Sequence, residues 1–154
     1  MREYKFRAWD NEANLMIYSD HRNRKLYDAY YYFETDSKGE LKCNWETEWT
    51  ESCQPDGGAF NNLMQYTGLK DKNGIEIYEG DIVKLYDENC QLLWDEFDCL
   101  YYIKCDDFYT ELEHNIRHKI EVIGNIYENA ELMEDKQWLI KLNHARFATM
   151  NNLL

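Results

Sequence analysis

The sequence predicts a mainly β fold, with helix only at its margins, and three observations carry that reading. Aromatic residues make up 16% of the chain, and the runs that hold most of them alternate with the two-residue period of a strand. Turn-forming pairs punctuate those runs, Asn73-Gly74 and Gly80-Asp81 above all. The stretch YTGLKDKNGIEIYEGDIVKLY at 66–86 sets two such turns close together, each leading into a short apolar strand, as in a small and strongly bent barrel.

The elements follow in order. YKFRAWD at 4–10 places Tyr4, Phe6 and Ala8 on one strand face and Lys5, Arg7 and Trp9 on the other. Asp10, Asn11 and Asn14 form a turn, and LMIYS at 15–19 completes an N-terminal hairpin. YDAYYYF at 27–33 is a strand with aromatics on both faces: Tyr30 and Tyr32 share one, Tyr31 and Phe33 the other. Only one pair can face a given core, so these four are interface candidates. ETDSKGE is a turn, LKCNWETEW fits a strand with Leu41, Cys43 and Trp45 on one face, and QPDGGAFNN at 54–62 is rich in turn formers. Residues 34–62 as a whole read as a variable excursion from the main body.

LMQYTG at 63–68 is a strand ending at Gly68. Asn73-Gly74 then supplies positive φ angles for a tight hairpin, and IEIY alternates, Ile75 and Ile77 against Glu76 and Tyr78. Gly80 tolerates φ > 0 in the second turn, and IVKLY at 82–86 resumes the sheet. A Gly-Asp pair ahead of such a strand suits an SH3-like β-barrel core. Further strands are predicted at 90–94, 99–105 and 119–127, with Gly124 marking a bulge or a close backbone approach. Residues 107–119 fit a short helix or a loop. ENAELMED at 128–135 suits one helical turn, and 137–154 fits a C-terminal helix with Trp138, Leu142, Phe147 and Met150 as interface candidates. The domain reading is one β-rich domain over 1–135 and a helical tail over 136–154.

The charge narrows the function. A net charge of −13 opposes direct binding to nucleic acid or an anionic membrane, and HRNRK at 21–25 is the most basic stretch. An acidic surface can meet a basic partner or imitate nucleic acid; the plainer reading is a soluble acidic protein. MREYKFRAWD has no apolar core of a signal peptide, and no run approaches the ~20 apolar residues of a membrane span, so the expected location is cytoplasmic. Five cysteines without regular spacing suit free thiols in a reducing compartment.

KFRAWD at 5–10, QYTGLKDKNGIEIYEGDIV at 65–83 and VIGNIYEN at 122–129 resemble the YopX family of phage and prophage proteins. The resemblance spans residues 5 to about 133 and leaves the segments between the motifs loosely matched. It implies a β-rich, SH3-like core, a tendency to self-associate, a bacterial host as the place of expression, and no defined activity.

The motifs themselves do not read as an active site. Asp71, Lys72, Glu79 and Asp81 sit in turns, where charged side chains face water, with Asp81 able to accept a backbone N–H. Asn125 and Glu128 either stabilise a turn or line a polar pocket. Cys99, Cys105, His114 and His118 offer two thiols and two imidazoles, but five residues separate the cysteines and eight precede the first histidine, which departs from zinc-finger spacing. Two cysteines of one strand parity are expected simply to point into the core. No phosphate loop, dinucleotide fingerprint or nucleophile elbow is present. The sequence is therefore read as a non-enzymatic accessory protein without cofactor or metal, self-associating and binding a host or phage protein. A binding module for a small ligand or nucleotide at a subunit joint is the alternative, and an enzyme the third reading.

Overall fold

The structure, a computed structural model, describes residues 3–21, 24–26, 29–47, 57–60 and 62–133, with the backbone alone at 21 and 24–26. The predicted C-terminal helix, with Trp138, Leu142, Phe147 and Met150, lies outside the described residues. The described residues fall into two compact units, divided after Gly68. The physical reason is two separate apolar clusters: alternation tells which side chains are buried, not which core they share.

The first unit holds β1 (Phe6–Asp10), β2 (Leu15–Tyr18), β3 (Arg24–Leu26), β4 (Ala29–Thr35), β5 (Leu41–Thr47), β6 (Gly57–Phe60) and most of β7 (Leu63–Lys70). The predicted N-terminal hairpin forms, with Ala8 opposite Ile17 and Asp10 opposite Leu15, and β7 pairs along the other edge of β1. Strands β3 to β6 make an antiparallel sheet in sequence order. Its register sets Tyr31 opposite Trp45, and Phe33 opposite Cys43. Ala8, Ile17, Tyr31, Phe33 and Cys43 form the buried cluster, with Phe6, Leu41, Trp45 and Phe60 packed against it.

The described residues of 34–62 supply β5 and β6 and a share of this core. Leu41, Cys43 and Trp45 do share a face, and that alternation is the cause. At the head of the β4–β5 hairpin, Asp36 accepts the backbone N–H groups of Lys38 and Glu40, and Gly39 takes φ +82°.

The second unit holds β8 (Glu76–Tyr78), β9 (Asp81–Leu85), β10 (Glu88–Asp95), β11 (Leu100–Lys104), β12 (Tyr109–Glu111) and β13 (Ile120–Asn125). Its main sheet has the order β12-β11-β10-β9-β13 and curls through part of a barrel. Ile77, Val83, Leu85, Cys90, Leu92, Ile103, Cys105 and Ile120 fill it. The undecided stretch 107–119 is neither one helix nor one loop: β12 is followed by a 3-10 turn at Ile116–His118. One helical turn at 131–133 meets the expectation for 128–135.

The opening motif answers to turn geometry. Gly74 has φ +83°, but Asn73 does not have positive φ, so the hairpin closes with a three-residue loop rather than an Asn-Gly two-residue turn. Ile75 is 51% exposed while Ile77 is fully buried. The expected pairing of the two on one face fails because Ile75 still belongs to the turn, its N–H held by Asp71. Gly80 has φ +77°, and Gly124 stands at a register shift between β13 and β9, as predicted.

Candidate functional site

The charged motif residues are placed by what they bond. Asp71 and Asp81, expected to face water, are buried. One carboxylate oxygen of Asp71 accepts the N–H groups of Asn73 and Ile75, and the other accepts Val122 N–H at 2.9 Å. Asp81 accepts Tyr78 N–H at 2.7 Å. Buried carboxylates are tolerated when backbone donors satisfy them, which is the reason for the departure. Lys72 is exposed as expected, 2.6 Å from Glu121, whose carboxyl its ammonium holds below the ordinary range. Asn125 accepts the N–H groups of Tyr127 and Glu128 and donates to the Glu128 carboxylate, so this pair stabilises a turn.

The aromatic quartet divides by parity. Tyr31 and Phe33 are core residues, which removes them from the interface set. Tyr30 and Tyr32 lie half-buried on the opposite face, in register with Glu46 and Asn44. Burial and the nearby Glu46 and Glu34 carboxylates push the Tyr32 phenol above its ordinary value.

The cysteine–histidine set does not assemble. Cys99 is exposed in a turn with φ +54°, while Cys105 is buried and bonded to Cys90. The shared parity fails because β11 begins only at Leu100. His114 and His118 lie edge to face, ring centroids 6.2 Å apart. The expectation of free thiols is likewise corrected for Cys90 and Cys105, which are bonded to each other, Cys90 in β10 and Cys105 at the end of β11.

A surface that sequence reasoning missed lies at the tip of the β10–β11 hairpin. Phe97 is 95% exposed there, flanked by partly exposed Trp94 and Leu100. Asp95 fixes the loop by accepting the N–H groups of Phe97 and Asp98 at 2.9 Å each, and Tyr102 donates its phenol proton to Asp98. Trp94 packs on Tyr101 with ring centroids 4.8 Å apart. The tip is therefore an ordered aromatic projection with Asp95, Glu96 and Asp98 around it, and no Lys or Arg occurs from 85 to 103. The available signal was DEFD itself: an aromatic among acids at the one place in a hairpin that must face water.

Each unit also carries a cleft. In the first, about 410 Å³ is lined by Asp10, Glu12, Tyr31, Trp45, Gly58 and Phe60. The Tyr31 and Phe60 rings are nearly parallel, with centroids 6.4 Å apart. A Cβ at Gly58 would stand 2.7 Å from Trp45 Nε1, so the glycine lets β6 run against the indole edge. In the second unit, about 670 Å³ is lined by Tyr102, Tyr109, Glu111, Glu113 and Lys119 among others.

These observations define a mainly β protein whose sequence motifs serve turns and whose exposed aromatic tip is acidic. The chain belongs to the YopX family: the family profile described as YopX protein matches residues 5–134. No match to the chain was found among curated proteins. Among the described residues, no helix is long and apolar enough to cross a membrane.

Proposed function

We propose that this is a non-enzymatic phage accessory protein that binds a host or phage protein in the cytoplasm through the β10–β11 tip. The carrying observation is Phe97, 95% exposed on a loop whose backbone is held by Asp95. A monomer gains nothing from a large apolar side chain in that position, and an ordered aromatic is what a partner pocket accepts at low entropic cost. The acidic collar selects a pocket ringed by Lys and Arg, such as a nucleic-acid-binding surface of host or defence machinery. The non-enzymatic reading draws support from Asp71, Asp81 and Asn125, whose side chains are engaged by turn backbone. The curled sheet of the second unit is taken as an SH3-like barrel, and the half-buried Tyr30 and Tyr32 face as a route to self-association.

The test is affinity capture from host lysate with the wild type and Phe97→Ser in parallel. A protein enriched by the wild type, lost in the variant and released by moderate salt is expected. An identical catch from both proteins would remove the tip from the reading.

The cleft of the first unit favours a second reading, a small-ligand module. Asp10 and Glu12 beside Tyr31, Trp45 and Phe60 suit an organic cation and repel a nucleotide phosphate. Native mass spectrometry that finds no bound small molecule after purification at low salt, and no binding of guanidinium or quaternary ammonium probes, would rule it out.

A further inference from the structure

Cys90 lies in β10 and Cys105 directly follows the last residue of β11, their Cα atoms are 4.3 Å apart, and both are buried. Glu88 precedes Cys90 by two residues and so projects from the same face of β10. A carboxylate oxygen of Glu88 and the two sulfurs all lie within 4.8 Å of one another, the only such group of metal-ligating side chains among the described residues. Oε2 of Glu88 is buried and accepts no hydrogen bond. An acceptor withdrawn from water without a partner is costly, and neither the disulfide nor the surrounding Val83, Leu85, Leu92 and Ile103 can satisfy it.

We infer that the reduced form of this cluster is a binding site for one thiophilic divalent cation of the zinc and cobalt class. The disulfide takes two electrons and two protons from a dithiol reductant, which is itself oxidised to a disulfide, and yields two thiols. The incoming cation then displaces both thiol protons to solvent and binds two thiolates, with the Glu88 carboxylate as the third ligand. Two sulfurs and one oxygen match the ligand preferences of zinc, whereas magnesium and calcium require more oxygen donors. Facing cysteines on neighbouring strands can share one ion, since zinc–sulfur bonds of about 2.3 Å span such a pair. The cation also supplies the positive partner that the buried Glu88 oxygen lacks. The same two strands are thereby cross-linked in either redox state, by a disulfide when oxidised and by the ion when reduced.

The test uses the full chain, reduced by a phosphine that is then removed under inert gas, and titrated with Co²⁺. One equivalent should bind with sulfur-to-cobalt charge-transfer absorption in the near ultraviolet, and Zn²⁺ should bleach it. The unreduced chain should give no such band. Glu88→Gln should weaken binding by about tenfold or more, as expected for loss of a ligand or its close support, while Cys99→Ser should leave it unchanged. The proposal is overturned by reduced protein that keeps its β circular dichroism yet shows no band. Equal affinity in Glu88→Gln, loss of the band in Cys99→Ser, or its persistence in Cys90→Ala/Cys105→Ala would overturn it too. So would collapse of the β signal on reduction, since the site would then not exist.

Discussion

The phenol of Tyr31 donates a 2.9 Å hydrogen bond to a carboxylate oxygen of Asp10, and both side chains are buried. The other oxygen of Asp10 accepts the N–H groups of Glu12 and Ala13, so one side chain closes the β1–β2 turn and ties β1 to β4. A hydrogen bond to a charged group is worth about 1.5–3 kcal/mol. Tyr31→Phe should lower the stability of the first unit by that amount, read from urea unfolding. In the background of Asp10→Asn the same change should cost clearly less, because the two residues are coupled. Equal costs in both backgrounds would mean that the bond does not contribute.

At Gly74 the cost of a side chain is separable from crowding. Its φ is +83° and no atom lies within 4 Å of an added Cβ, so any penalty is conformational. Gly74→Val should destabilise by about 1 kcal/mol or more, and Gly74→Asn by less, because Asn tolerates the left-handed region. A melting temperature unchanged in the Val variant would contradict the hairpin.

The strands were legible because their chemistry is local. LKCNWET and the run at 63–70 alternate, and Asp10 and Asn14, the latter at φ +53°, already mark the turn of the first hairpin. What escaped the reading is non-local. Asp71 looked like a solvated turn residue because its third donor, Val122 N–H, lies 51 residues away. The Cys90–Cys105 pairing was hidden by an odd cysteine count, although both residues are equally distant from the centre of the 96–99 loop, between Phe97 and Asp98. A hairpin centred there must set them opposite each other. The Phe97 tip was passed over because lone apolar residues on a surface are ordinary, and only the Asp95 bonds that fix the loop make this one unusual.

Tyr86 offers a test of stored strain. It occupies the β9–β10 turn with φ +56° and is 67% exposed, a bulky side chain in a region that favours glycine and asparagine. Left-handed backbone costs an ordinary residue roughly 1–2 kcal/mol. Tyr86→Asn should therefore raise the urea midpoint of the second unit, by about 1 kcal/mol of stability, with no change in slope. A lower midpoint would mean that the tyrosine ring contributes more by contact than its backbone costs.

The Cys43 thiol gives the first unit a pH dependence at the alkaline end. Its side chain is fully buried, and burial first, then the Asp10 carboxylate, pushes the thiol from its ordinary 9.0 up to about 12. Above pH 9 the unfolded chain releases this proton while the folded chain keeps it. The folded state then binds more protons than the unfolded one, so stability falls as pH rises, from about 9 until the folded thiol itself ionises near 12. The Tyr32 and Tyr102 phenols and the Lys42 ammonium, whose pKa values are also raised, act in the same direction, so the total slope does not isolate the cysteine. Cys43→Ala does. The variant starts from lower stability at neutral pH because it loses a buried group, but its decline between pH 9 and 10.5 should be shallower than that of the wild type. Urea unfolding at half-unit pH steps measures both lines. Parallel declines would show that the thiol ionises as readily in the folded chain as in the unfolded one, and that the alkaline loss belongs to other groups.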